Sequence, residues 1–546
     1  MQINQSDEQT EYKQMLRTYH KLSDRHVLVL ETDLSYQDKC KIFHYADLER
    51  KAGNELVALM KNNYEQLIRT KKYRKLKSLY VKYINANDKK NSKLIANQLN
   101  DLQRQYKVTW DFCRTSMIPL GKKYGLDAIF ALTKAEDVWR AVEKCLYSDG
   151  NTIHFSKRED LPNIRAKQSN RGIVIHSSDN RLRFKFNGLK FGVLIKDRFE
   201  NDEISAILDY LSEPEIKDNL AVNTLKEDGI CISTYRPCYA TLVCKKIRGK
   251  LRVYIHITIE GLAKPKYDKF GNIKHKLGKG TVGCDIGTQT IAYTSDNEVG
   301  LKNLAERGTS ISTNERKERL IYRAMDRSRR TTNPQNYNSD GTVKKGHKTW
   351  NYSNRYKRLR ARHTELCRIN AINRHLAINE DVNHLRSLGD RFVTEPKNAK
   401  KLQKRTKQTT LNKKGKINRK KRFGKSIKNR CCGYFQSQIE KKFKCTNGTY
   451  IEVPNDYRAS QYDHTADNYI KKKLSERMYY LSDGTQVQRD WYSSYLLYSI
   501  DYVTKTIDKN KCIANFENNL NKEKALIDWI KTNNIKILTV GLMYHS

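Results

Sequence analysis

Hydrophobic and polar positions change their period several times along this chain, and each change predicts a different kind of element. The first two dozen residues are polar and helix-like, after which His26 to Leu34 (H-V-L-V-L-E-T-D-L) alternates well enough for one strand. From Tyr45 to about Ser148 the spacing turns helical. Leu48, Ala52, Leu56, Leu59, Met60, Leu67 and Ile68 recur near one face, Lys and Arg of K-K-Y-R-K-L-K cover the other, and Ala135 to Leu146 around Trp139 gives a further amphipathic helix. After Asp149 and Gly150 the period drops to two. Ile173 to His176, Arg181 to Phe186, Lys190 to Ile195, Ile230 to Tyr235, Tyr239 to Lys245 and Leu251 to Glu260 read as strands, with turns at Ser178 to Asn180, Asn187 to Gly188 and Arg248 to Gly249. This pattern predicts a small β-barrel or open sheet, completed by the strand near Val27, with the helical block inserted into it.

The second half opens with G-T-V-G-C-D-I-G-T-Q-T-I-A-Y, Gly280 to Tyr293. Its small and β-branched residues suit a buried strand, a turn at Gly287 and a returning strand, and they deliver Asp285 to the turn. Basic helices follow from Asn314 to about Leu388, interrupted by a loop holding Asn333 to Lys348. Arg391 to Glu395 (R-F-V-T-E) is a short strand stopped by Pro396. Between Lys397 and Arg430 about half the residues are basic and none is acidic, with Leu402, Ile417, Phe423 and Ile427 interleaved. A solvated charge run is one reading of that segment, and an arm that tracks a nucleic-acid strand is the other. From Val487 a third amphipathic pattern begins, with Trp491, Tyr495, Leu496 and Ile500 as its inner face and Asp490 in the first turn, where the helix dipole favours a negative charge. The last forty-odd residues are polar, hold weak helices and suggest no chemistry.

Composition narrows the partners. The 546 residues carry 105 Lys plus Arg against 60 Asp plus Glu, a formal charge of +45, and 38% of them are hydrophobic, enough for several cores. Such a charge points to a polyanion bound through its phosphates, and the 33 Tyr add faces on which unpaired bases stack. No apolar run is long enough for a membrane span and the N-terminus is no signal peptide, so the expectation is a cytoplasmic, nucleoid-associated and prokaryotic protein with no membrane and no small-molecule substrate. The 12 Cys include no C-x-x-C, which argues for reduced thiols and against a Cys-based zinc ribbon; Cys231, Cys238 and Cys244 read as small core residues.

Asp285, Glu395 and Asp490 are each compatible with an ordinary role: a solvated turn, a surface salt bridge, a helix start. An uncompensated charge at a buried strand end costs several kcal/mol, roughly, so a metal, a basic partner or a water-filled cleft is the other explanation. Brought together by the fold, three carboxylates would hold two hard divalent cations, which would serve an attacking water and the leaving oxygen of a phosphodiester.

The order strand-Asp, strand-Glu, helix-Asp, with G-x-D-I-G-T-x-x-I-A-Y, V-T-E-x-x-N-x-K-x-L and V-Q-R-D-W-Y-S-S, resembles the split RuvC-type nuclease domain of TnpB-family transposon-associated endonucleases, relatives of compact type V CRISPR effectors. D-R-S-R-R-T-T-N-P and K-K-R-F-G-K-S add to the resemblance, which covers Gly280 to Ile500. It implies an α+β multidomain chain with an RNase H-like (RuvC) domain, and a β-barrel wedge carrying an inserted helical recognition domain. It further implies a guide RNA encoded beside the gene, double-stranded DNA as target, a short flanking motif, and cutting that depends on two Mg2+ ions, with Mn2+ as a possible substitute. Asp285, Glu395 and Asp490 match the family's metal-binding catalytic acids. Nucleic-acid contacts are expected from Arg327, Arg329, Arg330, Lys404, Arg405, Lys413, Lys414, Lys420, Lys421, Arg422 and Lys425.

The expected division is 1–44, an N-terminal segment with the first wedge strand; 45–149, the recognition helices; 150–278, the wedge; 279–444, the first two acidic motifs; 445–480, an insertion; 481–502, the third motif; and 503–546, a tail. That insertion departs from the family, which commonly has a four-Cys zinc ribbon there, so zinc is not expected; Asp463, His464 and Asp467 are solvated loop residues or an alternative metal site. Three competing readings are a cleavage-free RNA-guided repressor, an actin-like sugar kinase suggested by D-I-G-T-Q-T, and a cut-and-paste transposase. The first would be expected to lack an acid, the second lacks its further glycine-rich sites, and the third needs the order D-D-E.

Overall fold

Residues 2–147, 150, 152–158, 161, 163–227, 233–306, 311–403, 424–473, 476–538 and 541 are described in the computed structural model, and the chain divides into the units Met1–Lys264 and Pro265–Ser546. In the first unit, α1 (Gln2–Leu22) leads into β1 (Arg25–Thr32), where Leu28 and Leu30 point inward while Val27 and Val29 stay exposed. That is the alternation the sequence predicts. The helical block starts earlier than its apolar spacing indicates, at Tyr36. It comprises α2 (Tyr36–Arg69), α3 (Lys71–Asn85), α4 (Lys89–Gln105), α5 (Trp110–Lys123) and α6 (Ala128–Tyr147). Ser35, Thr70, Asp88 and Thr109 accept amide protons at the starts of α2 to α5, which fixes where each begins. Ala52, Leu56, Met60 and Leu67 form the buried stripe of α2, whereas Leu59 is exposed.

The strands that follow are β2 (Ile164–Arg165), β3 (Val174–Ser178), β4 (Arg181–Phe186), β5 (Leu189–Phe191) and β6 (Val193–Leu194); after helices α7 (Arg198–Ser212) and α8 (Pro214–Glu227) come β7 (Pro237–Ile247) and β8 (Lys250–Glu260). One antiparallel sheet has the order β2-β7-β8-β1-β6, and β3-β4-β5 form a second. Since β1 lies between β8 and β6, the helical block is an excursion from the sheet between β1 and β2. The run expected as one strand from Lys190 to Ile195 is broken at Gly192, whose N–H is taken by the Asp33 carboxylate at 2.7 Å. Helices α7 and α8 escape the sequence reading because they sit among alternating segments. Of the strand expected at Ile230 to Tyr235, residues 230–232 lie outside the described residues and 233–235 are irregular, with Tyr235 at φ +56° and its hydroxyl at Glu203 and the Leu262 carbonyl. Cys231 is likewise outside them, while Cys238 and Cys244 are partly buried on β7.

The second unit is built on β9 (Thr281–Ile286), β10 (Thr290–Ser295) and β11 (Val299–Asn303), then α9 (Ile311–Thr332), α10 (Asn354–Leu388) and β12 (Arg391–Thr394). After α11 (Ala399–Leu402), α12 (Gly424–Arg430) and α13 (Cys432–Lys444) comes β13 (Thr449–Glu452), followed by the short pairs β14 (Tyr462–Asp463) with β15 (Asn468–Tyr469) and β16 (Met478–Tyr480) with β17 (Gln486–Gln488). Helices α14 (Arg489–Tyr498) and α15 (Lys509–Thr532) complete it. The sheet order is β11-β10-β9-β12-β13; β9 to β11 are antiparallel, β12 runs parallel to β9, and β13 parallel to β12. On one face Val282, Cys284 and Ile286 pack with Ile378, Val382, Leu385, Phe435 and Phe443 from α10 and α13. The other face receives α14, buried along its length among Ala292, Val393, Leu301 and residues of α15. No helix among the described residues is long and apolar enough to cross a membrane.

Candidate active site

Strand alternation decides which side chains of β9 can meet α14. With Val282, Cys284 and Ile286 committed to the α10 face, Gly283 and Asp285 fall on the other. Gly283 is the point of closest approach: a Cβ there would stand 2.2 Å from the Tyr498 nitrogen and 2.3 Å from the Ser494 carbonyl oxygen. A hydrogen bond of 2.9 Å between the Thr294 and Ser494 hydroxyls fixes the helix over β10 as well. Glu395 comes from the neighbouring strand. Thr394, the last residue of β12, pairs with Cys284 across the parallel ladder, and Glu395 and Asp285 are the residues that follow them.

Asp490 occupies the first turn of α14, but it does not cap the helix. Gln488 does, its side-chain oxygen accepting the Trp491 N–H at 2.6 Å. That leaves the Asp490 carboxylate to pair with its surroundings, and its Oδ1 accepts from Arg489 at 3.0 Å and Arg477 at 3.4 Å. Glu395 Oε1 accepts the Ala459 N–H at 3.0 Å, which ties it to the loop before β14.

Asp285 feels the other two acids. Burial pushes the Asp285 pKa up to about 7, Asp490 and Glu395 add to the rise, and Lys397 and Arg489 oppose it. Asp285 keeps a partly accessible edge, yet protein packed around it outweighs that edge. Three carboxylates whose charges oppose one another offer the hard oxygen donors that magnesium takes, and a cation would relieve their repulsion. Among the described residues no three His, Cys, Asp or Glu side chains are already gathered closely enough to hold a metal ion. Carboxylate oxygens are the donors magnesium takes, but the three acids are not gathered into a site as they stand, and Asp490 is engaged by two guanidinium groups.

Sequence reasoning missed the groups that support these acids. Lys397, Arg477 and Arg489 look like members of a general basic background. Glu523, on α15, is buried, and its Oε1 accepts the Gln488 N–H at 2.8 Å just ahead of α14; its Oε2 has no hydrogen-bond partner among the described residues. Burial raises its pKa to about 8.

Asp463, His464 and Asp467 all have structural tasks. Asp463 is buried and accepts from the backbone and hydroxyl groups of Thr465 and Ser482 at 2.7–3.0 Å. His464 Nδ1 is 2.7 Å from the Tyr492 hydroxyl, and its ring packs edge-on against Phe516. Asp467 pairs with Tyr462 and Lys509.

Of the basic residues singled out in the sequence, Arg327 is exposed on α9. Arg329 and Arg330 both pair with Asp326, and they lie over the rings of Trp350 and Tyr337. They thereby hold the loop after α9, which is also sewn shut by the buried Asn333 amide, donating to the Asn351 carbonyl at 2.7 Å. Lys404, Arg405, Lys413, Lys414, Lys420, Lys421 and Arg422 lie outside the described residues, and Lys425 belongs to α12.

No family model and no curated protein matches this chain. Among solved structures it is similar to the Cas12f1–sgRNA–target DNA complex, at 11% identity over 86% of this chain and 98% of that one, with a TM-score of 0.37. It is also similar to a Cas12i–crRNA–double-stranded DNA complex, at 10% identity over 78% of this chain and 57% of that one, with a TM-score of 0.20. At these scores the likeness carries no weight for function.

Proposed function

We propose that the chain is a TnpB-like, RNA-guided DNA endonuclease, in which Asp285, Glu395 and Asp490 hold magnesium, or manganese in its place, and cut DNA beside a short flanking motif. The observation that carries this reading is the surroundings of Asp285: burial raises its pKa, Asp490 on α14 and Glu395 add to the rise, and Glu395 directly follows Thr394, the partner of Cys284 in the parallel ladder. A mixed sheet with α10 and α13 on one face and α14 on the other supports an RNase H-like assignment for the second unit. The charge of +45 suits a chain that holds both a guide RNA and a DNA duplex.

Divalent magnesium, when bound, supplies activation of water and charge neutralisation at the departing 3′ oxygen. The chain's own residues do the rest. Asp285 and Glu395 would present carboxylate oxygens from the sheet, and Asp490 would join them from the first turn of α14. Lys397 and Arg489 place fixed positive charge beside the acids, where an anionic phosphodiester has to approach. Asp490 has to share or release its contacts with Arg477 and Arg489 to serve as a ligand.

A guided protein that binds DNA without cutting is the second reading. The observation on its side is the capture of Asp490 Oδ1 by those two arginines. Sequencing the RNA that co-purifies with the protein, expressed with its native flanking DNA, separates both readings from an unguided one: a discrete structured species ending in a variable segment is expected. Incubating that complex with matching DNA and Mg2+ then tests cutting. Random cellular RNA would overturn the guided reading, and intact DNA would leave binding alone.

A further inference from the structure

The segment that opens the second unit holds a small hairpin with no part in the acid cluster. Tyr267 and Ile273 form an antiparallel bridge, and reciprocal backbone bonds close the turn: Asp268 N–H to the Asn272 carbonyl at 2.8 Å and Lys274 N–H to the Lys266 carbonyl, also at 2.8 Å. Asp268 builds the tip. Its Oδ1 accepts the N–H groups of Phe270 and Asn272, each at 2.9 Å. Gly271 takes φ +86°, a conformation that suits glycine and turns the chain back.

What this scaffold presents is Phe270, 76% exposed, at the tip. This phenyl ring contributes to no core, and Tyr267 and Ile273 beside it are partly exposed as well. The surroundings are positive: Lys266, Lys269, Lys274, Lys276 and Lys279 all have solvent access, Asp268 is the single acid between Lys266 and Lys279, and the Lys269 ammonium lies 4.8 Å from the centre of the Phe270 ring. Lysines repel a basic surface and attract phosphates. An aromatic face among them matches a nucleobase, which has an apolar face and a phosphate on either side.

We propose that the hairpin at Lys266–Lys274 is a stacking site for an unpaired base of a nucleic-acid strand, with Phe270 as the platform and the flanking lysines on the adjacent phosphates. This site stands on the hairpin's own residues and is independent of whether the acids cut. Stacking is indifferent to the sugar, so both RNA and DNA qualify as the strand, and separate probes distinguish them.

The test uses the full chain in EDTA, which makes it blind to cleavage. Binding of labelled single-stranded oligo-U, single-stranded oligo-dT and a blunt duplex is measured by anisotropy across a salt series, for the wild type and for Phe270→Ala, Phe270→Leu, Phe270→Trp and Lys269→Gln/Lys274→Gln. Phe270→Ala and Phe270→Leu are expected to weaken binding of at least one single strand about tenfold, with the salt slope unchanged and the duplex unaffected. Phe270→Trp is expected to retain affinity, with its indole fluorescence quenched by the strand that binds there; the lysine pair is expected to lower the salt slope by about 0.7 for each phosphate no longer neutralised. Wild-type affinity of Phe270→Ala for both single strands would overturn the proposal. Full binding by Phe270→Leu would overturn it too, because an aliphatic side chain serves an apolar protein or lipid surface and not a base. As the hairpin lies at the chain surface, circular dichroism of each variant should match the wild type, and a changed spectrum in Phe270→Trp would also count against a solvent-facing platform.

Discussion

Thr394 pairs with Cys284 across two parallel strands, and its hydroxyl also donates to the Cys284 carbonyl at 2.9 Å. Each of these residues directly precedes an acid. The extra hydrogen bond locks the register, and a slip by one residue would turn Glu395 to the face of α10. Asp285→Ala, Glu395→Ala and Asp490→Ala are each expected to reduce guided DNA cutting by on the order of 10³-fold or more while leaving RNA and DNA affinity nearly unchanged. Cleavage gels beside binding isotherms check this, and robust cutting by any variant would refute the site. Asp285→Asn should in addition raise the melting temperature in EDTA, because it removes a carboxyl that burial disfavours in its charged form.

Gly283→Ala tests the seating of α14. The new Cβ would meet backbone atoms of Ser494 and Tyr498 that cannot rotate away, so the helix must move. A loss of ~2–3 kcal/mol in denaturant unfolding is expected, together with loss of cutting. Wild-type stability in this variant would mean that the helix stands further from the sheet.

Glu523 makes stability depend on pH. Its pKa is about 8 in the folded chain against about 4.5 unfolded, so between those values the folded state keeps a proton that the unfolded state has released. Stability therefore falls as pH rises from about 4.5 to 8. Glu523→Gln keeps an acceptor for the Gln488 N–H and carries no charge; its melting temperature should depend less on pH in this window and exceed that of the wild type at pH 8. Glu523→Ala should cost ~2 kcal/mol or more, since it strands the Gln488 N–H beside a cavity.

Arg477 competes with a cation for Asp490. Arg477→Gln removes one of the two guanidinium groups at Oδ1, and the Mg2+ concentration needed for half-maximal cutting should fall severalfold. An unchanged magnesium titration would show that this ion pair is no obstacle.

Reversing charge at Lys413, Lys414, Lys420, Lys421 and Arg422 should weaken nucleic-acid binding and flatten its dependence on salt by up to ~0.9 in log–log slope for each phosphate left without a cation. A constant slope would identify the run as a solvated face.

The places of the three acids along their elements are legible in the sequence because each sits where a periodic pattern ends or begins. The small, β-branched residues around Asp285 allow only a buried strand and return, Pro396 stops the strand behind Glu395, and the aromatic stripe from Trp491 starts a helix at Asp490. The supports are illegible for a physical reason. Glu523 is one acid among the Lys, Asn and Glu of a helix that looks solvated, and only the approach of β17 and α14 buries it. Arg329 and Arg330 look like free cations until Asp326, Tyr337 and Trp350 fold around them. Helices α7 and α8 go unseen in the sequence as well, since two short helices between strands leave the surrounding alternation intact.

The central strand of the second unit finds its neighbours in an order unlike that of synthesis. β9 meets β10 at once, but β12, α14 and the supporting α15 emerge only as translation proceeds, at ~5–20 residues per second. A chain made only as far as α13 has its basic helices α9 and α10 and carries Asp285 and Glu395, while Asp490 is still to come. The order of manufacture therefore leaves the sheet without its covering helix until almost the whole chain has been made.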